Sequence, residues 1–226
     1  SISYSVQLSD GVNRSQVKDL VMTFTGTNDA PVLSDSNVSL GTLLEDNSAP
    51  NGAVGLRLTS LLGGISDVDS QALQGIGIVG VNSIQGTLYY STNDGAQWRE
   101  VSAVSTSRPL LLAASDQTRF YFKANANYNG TLSDAFTFIA WDQTTGTNAF
   151  SNASDTVSVT VAAVNDAPTL SLNTINSTFV EGANSSQGSS VYLFSNVNAS
   201  AGPANELNDT FKQFTFTVNG LLNDAD

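Results

Sequence analysis

The 226-residue chain carries 20 Asp and Glu against 8 Lys and Arg, a formal charge of −12, and contains neither His nor Cys. Imidazole bases, thiolate nucleophiles and Cys/His zinc sites are therefore excluded for the chain acting alone, and its scattered cations argue against nucleic acid and anionic lipid as partners. A hydrophobic share of 40% with 12% charged residues supports a packed core, and the remainder, rich in Ser, Thr, Asn and Gly, predicts strands joined by turns.

In chain order, the first residues form an alternating, strand-like segment without an initiator Met or a signal peptide, which is expected of a piece of a longer protein. A further alternating run, Leu20-Val21-Met22-Thr23-Phe24, leads into Asn28-Asp29-Ala30-Pro31. The same four residues return at Asn165-Asp166-Ala167-Pro168, 137 positions on, after another alternating run over 156–161. A second marker keeps that register: Leu44-Glu45-Asp46-Asn47 is followed 136 positions later by Val180-Glu181-Gly182-Ala183. The repeat unit is therefore a whole domain. A third marker slips, because Asp67-Val68-Asp69 returns only at Asp224-Ala225-Asp226, 157 positions on. The last unit thus carries an insertion or is of another subtype.

Between the two Pro-containing linkers, short apolar runs cover 38–44, 54–62, 76–81, 87–90, 119–123, 136–141 and 156–161, separated by Asn, Asp, Gly and Ser. This spacing predicts an antiparallel β-sandwich. Only 110–114 has the look of a helical turn. The expected division is 1–27 as the last strands of one sandwich, 31–164 as a complete domain and 169–226 as the opening strands of a third. No apolar run approaches the roughly 20 residues that span a bilayer, so membrane insertion is not expected.

Strand parity assigns the acids to two ends. A first strand descending from Pro31 ends near Glu45, a second climbs over 54–62, and Asp67 and Asp69 follow at the top. Later, 136–141 climbs to Asp142 and 156–161 descends to Asn165 and Asp166. The upper linker then gathers Asn28, Asp29, Asp67, Asp69 and Asp142. The lower gathers Glu45, Asn165 and Asp166 with Asp224 and Asp226. Clustered carboxylates and amide carbonyls suit Ca²⁺, which takes about 6–8 oxygens, and the i and i+2 carboxylates of Asp-x-Asp point to one side of an extended chain.

The order Asn-Asp-Ala-Pro, Glu-Asp, Asp-x-Asp-Ser, Ala-x-Asp-x-x-x-Gly, Asn-Asp-Ala-Pro resembles the cadherin-like repeats of large bacterial surface adhesins, the RTX-type and biofilm adhesins. The resemblance spans 31–164 and pieces on either side. It implies tandem Greek-key sandwiches, immunoglobulin-like in architecture, with calcium between neighbouring repeats, on the cell surface or secreted, in adhesion or biofilm attachment. It also implies cell-surface or matrix glycans or proteins as partners. By this resemblance Glu45 is the glutamate at the base of the first strand, Asp67 and Asp69 the paired aspartates, Asp142 the late aspartate, and Asn165 with Asp166 the linker ligands. Asp10 and Glu181 match the late aspartate and the base glutamate of the flanking units and are expected to hold no ion here. The Asn-Asp linker is shorter than the one in animal cadherins.

Other motifs read differently. Ser91-Thr92-Asn93-Asp94-Gly95-Ala96-Gln97-Trp98 resembles the Asp-box hairpin of sialidases, a structural turn that Trp98 is expected to pin. Trp141 is expected in the core. Asp46, Asp94, Asp116, Asp134 and Asp155 are expected at the surface or in turns. A calcium-dependent carbohydrate-binding sandwich is the alternative to an adhesin repeat. Catalysis is not expected, because Glu45 and Glu100, the glutamates of 31–164, are not brought into one cleft by parity.

Overall fold

The computed structural model describes every residue except 35, 147, 179, 181–188, 204–209, 216 and 218–226. Strands make up 45% of the structure and helix 4%, so the protein is all-β. Among the described residues no helix is long and apolar enough to cross a membrane.

The first hairpin pairs β1 (Ile2–Val6) with β2 (Lys18–Met22). After the first linker, β3 (Val32–Leu33) runs on to β4 (Val38–Leu44), followed by β5 (Leu56–Arg57), β6 (Ile65–Ser66), β7 (Gly75–Val81), β8 (Gly86–Ser91), β9 (Arg99–Glu100), β10 (Leu110–Ala113), β11 (Arg119–Ala124), β12 (Gly130–Trp141) and β13 (Phe150–Ala162). Past the second linker, β14 (Thr169–Thr174) pairs with β15 (Phe194–Ser200). One sheet has the order β10-β7-β12-β13-β4 and another the order β5-β11-β8-β9, while β3 pairs with β6. Among the described residues the strand pairings are antiparallel except β4 with β13, which run parallel from Val38 opposite Val157 to Leu44 opposite Ala162.

Alternation makes the core. Phe136, Phe138 and Ala140 on β12, Val157, Val159 and Val161 on β13, and Phe120 and Phe122 on β11 turn their side chains inward at every second position. The two sheets share this single cluster, and the Phe120 and Phe136 rings meet at 5.2 Å between them. Trp141 falls at the opposite parity. Contrary to expectation it is half-buried outside the core, with its Nε1 donating to the Thr144 carbonyl.

Two segments depart from the sequence expectation. Only Leu56 and Arg57 of 54–62 pair as a strand; Leu58–Gly64 winds into a 3₁₀ helix. Leu58 and Leu61, both fully buried, explain it, since residues three apart eclipse on a three-residue turn and reach the core together. The stretch expected as a helical turn is β10. Its ladder with β7 and the inward Leu112 decide the outcome, because tertiary pairing overrides a weak local preference.

The hairpin after β8 is held from within. Ser91 Oγ accepts from the Gly95 N–H at 2.9 Å, Asn93 Oδ1 accepts from the Gln97 N–H at 2.9 Å, and Trp98 Nε1 donates to the Gly52 carbonyl at 3.2 Å. Asp94 is not a free turn residue: its Oδ1 receives Arg119 Nε at 2.6 Å. Asp155 is buried within β13, where Oδ2 accepts from the N–H and Oγ of Ser36.

Candidate metal centre

The two Asn-Asp linkers stand at opposite ends of the β12–β13 hairpin. Each bends in the same way, with the asparagine Nδ2 donating to the next residue's carbonyl: Asn28 to Asp29 and Asn165 to Asp166, both at 3.0 Å. Twelve residues of β12 at about 3.4 Å each separate the ends by roughly 40 Å.

At the upper end, Asp142 follows the last residue of β12 and is 3% exposed. Its Oδ2 accepts from Asn28 Nδ2 at 2.8 Å, and its Oδ1 from the N–H and Oγ1 of Thr144, both at 2.7 Å. Burial pushes the Asp142 carboxyl up, but the hydrogen bonds from Asn28 and Thr144 outweigh it and hold the group below the ordinary carboxylate value. Asp69 reaches the same linker, its Oδ2 accepting from the Asp29 N–H at 2.8 Å. Asp67 Oδ1 accepts from the Asp69 N–H at 2.8 Å, whereas Asp67 Oδ2 is buried without a hydrogen-bond partner. A buried carboxylate oxygen with no donor is unfavourable unless something else meets it. Beside these groups lies a cleft of about 440 Å³ lined by Asn28, Asp69, Ser70, Gln71, Asp142 and Thr144 among others. Asn148, unremarked in the sequence, closes the upper end by donating Nδ2 to the Asn28 carbonyl at 3.0 Å.

At the lower end, Glu45 follows β4, with its N–H donating to the Ala162 carbonyl at 3.0 Å, and is 2% exposed. Its Oε1 accepts from the Val164 N–H at 2.7 Å and its Oε2 from Asn129 Nδ2 at 3.2 Å. Asp46 is exposed in a turn, as expected, and its Oδ1 accepts from the Asn127 N–H at 3.1 Å. Burial, and then the negative charges of Asp46 and Glu45, push the Asp166 carboxyl up.

The structure thus brings Asn28, Asp29, Asp67, Asp69 and Asp142 to one linker and Glu45, Asn165 and Asp166 to the other. Asp224, Asp226 and Glu181 lie outside the described residues. Among the described residues no three acidic side chains converge into a ready-made cluster; Asp142 is met by donors on both oxygens, and Asp69 is turned toward the linker backbone.

The two ends differ in one further respect. The ladder of β14 with β15 repeats that of β3 with β6: Leu33 faces Ile65 and Val32 faces Ser66, while Leu170 faces Ala199 and Thr169 faces Ser200. Counting on from Ser66 gives Asp67 and Asp69. Counting on from Ser200 gives Ala201 and Pro203. The lower end therefore has no acid at the positions that match the upper Asp-x-Asp.

Asp46, Asn127, Asn129 and Asn148 are the residues that sequence reading passed over. Asp46 adjoins Glu45 in one turn, and the Asn-rich 125–129 loop was a usable signal for the lower end. The chain matches no family model, no curated protein and no solved structure.

Proposed function

We propose that the chain is a calcium-stiffened repeat segment of a bacterial surface adhesin, made of tandem Greek-key β-sandwich domains that cover about 1–27, 31–164 and 169–226 and act outside the cell. The observation that carries this reading is the upper linker, where a buried Asp67 oxygen lacks a donor beside Asp69, Asp142 and the Asn-Asp bend. Hard oxygen donors of this kind fit Ca²⁺ better than a transition metal.

Asp67, Asp69 and Asp142 with Asn28 and Asp29 would hold the ion, which supplies positive charge to that carboxylate set. The protein's own part is positional. Asp69 anchors the linker through the Asp29 N–H, and the Asn28 amide donates a hydrogen bond to Asp142 from the linker side. Both contacts tie residues before Pro31 to the top of the following strands, so stiffening this point aligns one repeat with the next. Neighbouring repeats of the same chain are then the principal partners, with no catalytic role.

Calcium titration calorimetry paired with small-angle scattering tests this. Calcium should bind and narrow the spread of inter-repeat angles, and a chelator should restore it while far-UV circular dichroism stays nearly constant. Superimposable scattering with and without calcium would rule the reading out.

A further inference from the structure

β4 stands at the edge of its sheet, and among the described residues β13 is its one strand neighbour there. Side chains reinforce their parallel ladder: Ser158 Oγ donates to the Val38 carbonyl at 3.3 Å, and Ser39 Oγ to the Ser158 carbonyl at 3.4 Å. A buried carboxylate closes each end. Two positions before the pair of Val38 with Val157, Asp155 Oδ2 accepts from the N–H of Ser36 at 3.1 Å and from its Oγ at 2.6 Å. Just past the pair of Leu44 with Ala162, Glu45 Oε1 accepts from the Val164 N–H at 2.7 Å, while the Glu45 N–H donates to the Ala162 carbonyl. The grips are reciprocal. Asp155 belongs to β13 and holds the backbone that leads into β4, whereas Glu45 follows β4 and holds the backbone that leaves β13. Both acids are buried, so water does not compete freely for these bonds.

The chain enters 31–164 beside Asp142 at the upper end and leaves it beside Glu45 at the lower. Tension between those points draws the start of β4 and the end of β13 in opposite directions along their common axis. The bonds of a parallel ladder are evenly spaced across that axis, so they are strained together rather than one after another. Ser36 and Val164, the two residues the carboxylates hold, are the points at which the load reaches the ladder. The pairing of β3 with β6 comes earlier on the same path but is only two pairs long.

We propose that the β4–β13 ladder, latched at its two ends by Asp155 and Glu45, is the element that bears tension along this chain. The source of that tension rests on the reading of the chain as a repeat segment. The ladder itself forms without calcium, so its strength in chelator does not depend on whether the linkers bind the ion. Resistance to pulling is a matter of the unfolding rate along one direction, and it is therefore separable from stability toward denaturant. Residues on the opposite edge of the same sheet, such as Leu112 on β10, lie off the path.

Single-molecule pulling of the 226-residue chain in excess chelator tests the proposal. The chain has no Cys, so introduced pairs define where force is applied, here at positions that are all exposed. Gly26→Cys/Ala167→Cys loads the ladder along its strands. Ser48→Cys/Ala167→Cys places both handles at the lower end and opens the ladder pair by pair. The first geometry should rupture at clearly higher force than the second. In the first geometry, Asp155→Ala and Glu45→Ala should each shorten the lifetime at constant force by about tenfold or more, through loss of a hydrogen bond to a charged group. Leu112→Ala, which removes a core side chain, should cost less lifetime under force than either latch variant for the same loss of denaturant stability. Equal rupture forces in the two geometries would overturn the proposal, and that comparison leaves both latches intact. So would latch variants that lose no more lifetime than Leu112→Ala at matched stability.

Discussion

Asn28 Nδ2 and Asp142 Oδ2 meet at 2.8 Å although 114 positions separate them in the chain. One belongs to the linker before Pro31 and the other to the turn after β12, so this contact, together with the bonds between Asn28 and Asn148, ties the linker to the turn of the long hairpin. Asp142 is almost wholly buried, and the amide takes up a carboxylate oxygen that burial would otherwise penalise.

Asn28→Ala should therefore destabilise the cation-free chain by about 1.5–3 kcal/mol, the range for hydrogen bonds to charged groups. Asn165→Ala is the matched control. Its side chain makes the same local bond to the next carbonyl but no contact to a buried carboxylate like that of Asn28 to Asp142, so the loss should be smaller. Denaturant unfolding in chelator measures both, and equal losses would show that the tie to Asp142 has no special weight.

Calcium should act unequally at the two linkers. At the upper one Asp67 and Asp69 follow β6, and Asp69 Oδ2 is turned to the Asp29 N–H of the linker. At the lower one Glu45 already has both oxygens engaged, by Val164 and Asn129, and Ala201 and Pro203 follow β15 where Asp67 and Asp69 follow β6. A site occupied at 100 times its Kd adds about 2.7 kcal/mol to stability. Asp67→Ala/Asp69→Ala should remove most of the calcium-dependent rise in Tm, and Glu45→Gln only a minor part. The reverse order would mean that the lower linker is the stronger site.

Parity along the strands was enough to bring Asp69 and Asp142 to one end and Glu45 to the other, because the side-chain period of two follows directly from alternating apolar residues; the parallel pairing of β4 with β13 was not legible, since alternation is the same in parallel and antiparallel strands. What parity cannot reach is a contact made by the backbone of a distant loop. Asn127 donates to Asp46 through its main-chain N–H, and the Asn148 carbonyl accepts from Asn28 Nδ2; neither leaves a periodic trace. The 3₁₀ helix at Leu58–Gly64 escaped for a related reason. Over a few residues, Leu58 and Leu61 fit an alternating run nearly as well as a three-residue turn, and only the shape of the core decides between them.

A pH dependence should arise at Asp94. The hydrogen bond from Arg119 lowers its carboxyl below the ordinary value, against a smaller opposing effect of burial, and the Arg57 guanidinium adds attraction at 3.4 Å. A carboxylate whose folded pKa lies below its unfolded value near 3.9 contributes stability at pH above the unfolded value and loses it as pH falls through the folded one. Asp94→Asn should thus be less stable than the parent chain at neutral pH, and the gap should close in acid below about pH 4. Parallel melting curves from pH 7 to pH 2 would reveal it, and a gap that persisted unchanged at pH 2 would assign the loss to geometry instead.

The hairpin that carries Asp94 should also tolerate an added methyl group poorly. Gly95 sits at φ +87°, where L side chains are strained, and a Cβ there would come within 1.9 Å of the Gly52 carbonyl oxygen. That oxygen cannot withdraw freely, because it also accepts from Trp98 Nε1, and the Gly95 N–H is itself held by Ser91 Oγ. Gly95→Ala must then either break the Trp98 contact or shift the 52–53 backbone, in addition to about 1–3 kcal/mol of backbone strain. Gly63, in the 3₁₀ helix, is the opposite case: it is exposed, and no atom lies within 4 Å of where its Cβ would be. Gly63→Ala should leave stability unchanged or raise it by about 0.4–1 kcal/mol through the unfolded chain. Gly95→Ala should lower it by about 2 kcal/mol or more and shift the near-ultraviolet signal of Trp98. Two variants of equal stability would show that the turn can relax around the methyl group and that the Gly52–Trp98 contact does not hold it.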